Sequence, residues 1–152
     1  MPKNTIVMVK HMIPMSKVSS ITSIDKDSCI VFKDSEDIKR FISLYEKEGQ
    51  QDRKDIIDCL AHFISSYSSY NGVAVNFCSA MVNHGDTGNG RNVRFYEKEG
   101  TKYVETVTDV KAGDELCSDY RDFDYMEDFW VQFCKEEGVK DVVTNLRQYV
   151  DL

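Results

Sequence analysis

The sequence predicts a mixed α+β domain, mainly β, in which short strands carry an inserted helical segment and end in a C-terminal helical region. Three observations predict it. Two strand-like runs, 92–98 and 102–108, flank Glu99-Gly100-Thr101 as the arms of a hairpin flank its turn. After Asp34, apolar residues recur at helical spacing, first as Ile38, Phe41, Ile42 and Tyr45, then as Ile56, Ile57, Leu60, Phe63, Ile64 and Tyr67. Near the end, Met126, Phe129, Trp130 and Phe133 form a third stripe. At 152 residues the chain is long enough for one domain with its own core, and no linker-like segment marks a second. The expected divisions within 1–152 are a helical insert over 34–70, a core over 72–120 that carries the polar motifs, and a helical segment over 121–152.

Taken in order, Thr5 to Val9 is β-branched and apolar enough for a strand, after the turn-like Met1-Pro2-Lys3-Asn4. Ser16 to Asp27 is polar and aperiodic, so a loop is expected, with a short strand around Ile21 to Ile24. Cys29 to Phe32 reads as an apolar strand. Asp34-Ser35 offers an N-cap for a helix from about Glu36 to Lys47, closed by Gly49. A second helix is expected from Asp52 to about Tyr67, and His62, beside its stripe, reads as structural. Gly72 to Val82 is small and apolar, suited to a buried approach to Asn83. The loop 86–90 is glycine-rich, with no helix start after it to hold a phosphate. Val110 to Asp114 reads as a tight turn and Glu115 to Tyr120 as a short strand. The last elements are a helix from about Tyr125 to Glu137, closed by Gly138, and a short helix from Asp141 to Tyr149.

Composition narrows the function classes. Five cysteines with no Cys-x-x-Cys pair argue against a disulfide framework and against a tetrahedral zinc site, so no metal is expected. The expected compartment is reducing and intracellular, nucleus or cytoplasm, since no apolar run reaches membrane-spanning length and no secretory signal pattern opens the chain. A net charge of -7, from 19 basic and 26 acidic residues, disfavours a nucleic-acid surface and suits a basic partner. For most single acidic residues the ordinary role is solubility.

The stretch from Asn83-His84-Gly85 to Gly113-Asp114-Glu115-Leu116-Cys117-Ser118-Asp119-Tyr120 concentrates the chemistry. A hairpin between two polar motifs brings its ends together, which would gather Asn83, His84 and Tyr120 around one pocket. In order and spacing this stretch resembles the C-terminal half of the SET domain, the fold of protein-lysine methyltransferases that use S-adenosylmethionine. The family carries an Asn-His pair usually followed by Ser, then two strands, then a Gly-Glu-Glu-Leu-like turn and a strand ending in Asp-Tyr. Here those parts are Val82-Asn83-His84-Gly85, Asn92-Val93-Arg94-Phe95 and Gly113 to Tyr120. The resemblance covers Asn76 to Phe123, about a third of the chain.

It implies a SET-like fold and a lysine-containing, basic protein or peptide as substrate, with no nucleic acid or membrane as partner. It also implies a catalytic Tyr120, and cofactor contacts from Asn83, His84, Met81, Val82 and Phe123. Ser118, Tyr120 and Trp130 would line the lysine channel. For Trp130 a core anchor is the favoured reading; a cover over the channel is the functional one. For Asn83 the alternative is a turn-capping role, and for His84 a buried hydrogen-bonded histidine.

The departures are specific. Ala80-Met81-Val82 stand where the family often has Arg-Phe-Ile, Gly85-Asp86 replace Ser-Cys, and Ser118 stands where many members carry Phe or Tyr. No Gly-x-Gly occurs before Gly49. Either the sequence is a fragment or paralogue lacking the family's first strand, or another segment replaces it. The rival reading is a catalytically inactive SET-like module that binds basic peptides or protein partners.

Overall fold

The computed structural model describes residues 1–24, 27–49, 51–67, 72–76, 82–85, 90–119, 127–141 and 144. Along the chain the strands are β1 (Ile6–Pro14), β2 (Ser28–Phe32), β3 (Ile64–Tyr67), β4 (Gly72–Asn76), β5 (Asn83–His84), β6 (Val93–Lys98), β7 (Thr101–Thr106) and β8 (Cys117–Ser118). The helices are α1 (Ser35–Glu48), α2 (Arg53–Phe63) and α3 (Asp128–Glu137). Six strands form a mixed sheet in the order β3-β4-β2-β1-β7-β6, and β5 pairs with β8 in a small second sheet. The α+β class expected from the sequence holds. None of the helices among the described residues is long and apolar enough to cross a membrane.

The large sheet has two distinct faces because side chains alternate along each strand. One face presents Ile30, Phe32, Ile64, Val73 and Val75 to Ile38, Phe41 and Ile42 of α1, to Ile56, Ile57 and Leu60 of α2, and to Trp130, Phe133 and Cys134 of α3. These residues make one continuous core. The other face carries Met12, Cys29, Val31 and Ala74. Every residue of β2 is buried, as a strand inside a covered sheet requires.

α1 forms as its caps predict. The Asp34 carboxylate accepts from the Asp37 N–H at 2.9 Å, and the Asp37 carboxylate accepts from the Lys33 N–H at 3.0 Å, so donors at the helix start are satisfied reciprocally. The hairpin β6–β7 forms where the sequence predicts one, but its arms are 93–98 and 101–106 rather than 92–98 and 102–108, since Thr101 pairs with Lys98 instead of joining the turn. Its two-residue turn puts Glu99 at φ 51 and Gly100 at φ 76, the left-handed pair that matches strand twist.

Several expectations need correction, among them the strand expected over Glu115 to Tyr120, of which Cys117–Ser118 is strand. β1 runs to Pro14 rather than ending at Val9, because His11 to Pro14 pair in parallel with β2. Ile21–Ser23 is a 3-10 turn, not a strand, and Ser20 caps it by accepting from the Thr22 N–H. The second helix stops at Phe63. Ile64–Tyr67 is instead an antiparallel partner of β4, so the segment 34–70 is not wholly helical. Ile64 remains in the core all the same. The side chains of His62, Phe63 and Tyr67 lie outside the described residues.

The third helix begins at Asp128, since Glu127 is extended, and Gly138 closes it in the left-handed conformation. Of the stretch where a last helix is expected, Asp141 to Tyr149, only Asp141 and Thr144 lie among the described residues. The Thr144 N–H donates to Asp141 at 3.0 Å and its hydroxyl bonds the same carboxylate at 2.6 Å.

Candidate functional site

The two polar motifs meet across the small sheet. β5 and β8 run parallel with Asn83 opposite Cys117 and His84 opposite Ser118, and the Gly85 N–H donates to the Ser118 carbonyl at 2.8 Å. The hairpin between them supplies the closure. Its base is tied by the Val107 N–H donating to the Asn92 carbonyl at 2.8 Å. The turn before β8 closes in the same economical way, with the Asp114 N–H on the Lys111 carbonyl at 3.1 Å and the Asp114 carboxylate accepting from the Lys111 N–H at 2.9 Å.

Side chains at the pair are mostly polar. The exposed Asn83 donates its amide to the carboxylate of Glu115. His84 is half-buried, and its Nδ1 lies 3.9 Å from Oδ1 of the buried Asp119, a distance for charge attraction when the ring is protonated rather than for a hydrogen bond. Ser118 is buried, and its hydroxyl has no hydrogen-bond partner among the described residues. A buried hydroxyl without a partner is costly, which marks Ser118 as the group here that gains most from an added polar contact.

Position 85 has room only for glycine. A Cβ at this position would lie 2.5 Å from the carbonyl carbon and 2.7 Å from the carbonyl oxygen of Gly90. The backbone at Gly90 passes so close that any side chain at position 85 would clash.

The structure therefore brings Asn83, His84 and Ser118 together, with Val82 entering β5 at a half-buried position. Trp130 is elsewhere. It is fully buried in the main core on α3, its ring 5.5 Å from Phe133 in a stacked arrangement, which is the anchoring role favoured from the sequence. Tyr120, Met81 and Phe123 lie outside the described residues.

Sequence reasoning missed three residues here. Asn92 ties the hairpin to β8, Glu115 holds Asn83, and Asp119 faces His84. Each acts on a partner distant in the chain, so no local spacing announces it. It also missed an ionic row on the large sheet, made of the buried Lys10 and Lys102 and the half-buried Glu97. Lys10, Lys102 and Glu97 occupy facing positions on β1, β7 and β6, and the Lys102 Nζ stands 4.8 Å from the Phe95 ring centre.

No protein-family model matches the chain, and no curated protein matches it.

Proposed function

We propose that this chain is a SET-like protein-lysine methyltransferase that uses S-adenosylmethionine. The observation that carries the reading is the in-register parallel pairing of β5 with β8, which puts Asn83-His84 beside Cys117-Ser118 at the mouth of the hairpin. The order of motifs in the sequence supplies the rest of the case.

The residues at the pair suit that cofactor by charge. The carboxylates of Glu115 and Asp119 flank Asn83 and His84, and they match the positive sulfonium and ammonium of S-adenosylmethionine. When bound, the cofactor supplies an electrophilic methyl group. Asn83 and His84 would hold its amino-acid end and adenine, in part through main-chain atoms of β5, with Val82, Met81 and Phe123 adding apolar contact. Tyr120, two residues after β8 in the sequence, would orient the lysine amine.

A free lysine amine is mostly protonated at neutral pH, with a pKa of about 10.4 in model peptides. The site must therefore favour the neutral form, and burial of the amine in a narrow apolar channel does so by making the ammonium expensive. The buried Ser118 hydroxyl would meet the amine or a water beside it. The acidic balance of the chain favours a basic peptide around the target lysine.

A second reading has its own observation. Asn83 spends its amide on Glu115, which suits a SET-like module that holds a basic peptide and transfers nothing.

Calorimetric titration with S-adenosylmethionine separates the two. The expected result is micromolar binding by the parent chain, weakened by Asn83→Ala and largely kept by Tyr120→Phe, with peptide methylation lost in Tyr120→Phe. A folded parent that binds no S-adenosylmethionine rejects the methyltransferase reading and leaves the peptide-binding one.

A further inference from the structure

Asn92 stands just ahead of β6, and each of its polar groups is spent on another segment. Its main-chain N–H donates to the Cys117 carbonyl at 3.0 Å, and its main-chain carbonyl accepts from Val107 at 2.8 Å. Its side-chain amide donates to the Glu115 carbonyl at 2.7 Å, and its side-chain oxygen accepts from the Cys117 N–H at 2.8 Å. A carboxamide bonded to one residue's carbonyl and to the N–H two residues on acts as the peptide group of a neighbouring strand would act. β8 is thus gripped on one side by Asn92 and paired on the other with β5.

We propose that Asn92 is the positioning residue of this site: its side chain sets the register in which β8 lies against β5, and with it the placement of Ser118 and Asp119 relative to His84. The inference rests on reading β5 and β8 as the functional pair. Among the described residues β8 has two paired residues, Cys117 and Ser118, and so short a pairing specifies its register weakly. The Asn92 amide supplies two further bonds with fixed spacing. Loss of its donor leaves the Glu115 carbonyl without that bond, and the segment can then slide toward other pairings.

The test is residue-resolved amide exchange and histidine ring NMR on the full, unliganded chain, comparing the parent with Asn92→Asp. This variant keeps the shape and the acceptor for Cys117 but sets an oxygen against the Glu115 carbonyl. The Gly85 amide, which donates to Ser118, should exchange at least about tenfold faster, the scale set by one lost hydrogen bond. The His84 ring signals should shift, and the amides of β2 and β4 should keep their protection.

Arg94→Gln serves as control, since it breaks the Arg94–Glu105 pair of the same hairpin without touching β8. It should leave Gly85 as in the parent. Unchanged Gly85 exchange and His84 signals in folded Asn92→Asp overturn the proposal, as does an equal effect from Arg94→Gln or a uniform loss of protection. If Asn92→Asp does not fold, Asn92→Ser is judged by the same signals. Failure of both to fold overturns a local role, because the clamp then supports the whole domain. These signals need no cofactor, so a parent chain that binds no S-adenosylmethionine rejects the methyltransferase reading without deciding this one.

Discussion

Lys102 lies on β7 with 1 % of its surface exposed, between Lys10 on one neighbouring strand and Glu97 on the other. Burial pushes its ammonium down to about 8, against the opposing pull of Cys29 and Glu97. The consequence for stability has a definite sign. Between pH 8 and the ordinary lysine value of 10.5, the unfolded chain holds a proton that the folded chain has released, so stability rises with pH. Cys29 works against this at higher pH. Burial pushes its thiol up to about 11, and above the ordinary 9.0 the unfolded chain ionises first, which lowers stability. Cys134, pushed up to about 12 by burial, acts in the same direction. Cys59 and Cys117 are raised as well, so from pH 8 to 9 the thiols already oppose Lys102, and its share is read as the difference between parent and variant. Thermal melts should show stability changing less favourably with rising pH in Lys102→Met than in the parent across this interval; identical pH dependence would reject burial of Lys102 as a source. None of this was visible in the sequence, where Lys102 simply opens the second strand-like run, 102–108.

Elements whose signals are local came through the folding intact. α1 is bounded by Asp34 and Gly49, and the hairpin turn by Glu99-Gly100, because caps and left-handed turns depend on a few adjacent residues. Asp34→Ala should cost about 1 kcal/mol and lower the melting temperature by about 2–4 °C. A shift within error in thermal melts would mean that core contacts of α1 make the cap redundant. The elements that differ are those with competing signals. Ile64 continues the helical stripe of α2, yet Ile64–Tyr67 pairs along β4, and this partner decides the outcome. In β1 the polar Lys10 and His11 interrupt an apolar run, so the strand looks finished at Val9 until β2 and β7 are seen on either side.

At the scale of the molecule, α1, α2 and α3 share one core with the β2–β4–β3 end of the sheet, whereas β5 and β8 join through the hairpin base. Trp130 is the single tryptophan and is fully buried in that core, so its fluorescence reports the shared packing. Urea unfolding should give coincident midpoints for Trp130 fluorescence and far-ultraviolet circular dichroism, as a cooperative unit requires. Separate midpoints would show that the helices detach before the sheet. Trp130→Ala should cost about 3–5 kcal/mol, enough to bring a marginally stable domain close to unfolding.

Sequence alone determined the α+β class, the cap and end of α1, the hairpin turn, the stripe that buries Trp130 and the order of the two polar motifs. All of these rest on contacts within a few residues or on periodic burial. Tertiary structure decided the rest of the described site: the register of β5 against β8, the grip of Asn92 on Glu115 and Cys117, the close pass of Gly90 over Gly85, and the ionic row through Lys102. The physical reason is the same in each case. The partner is far along the chain, and a hydrogen bond or a clash between distant residues leaves no trace in the spacing of either one.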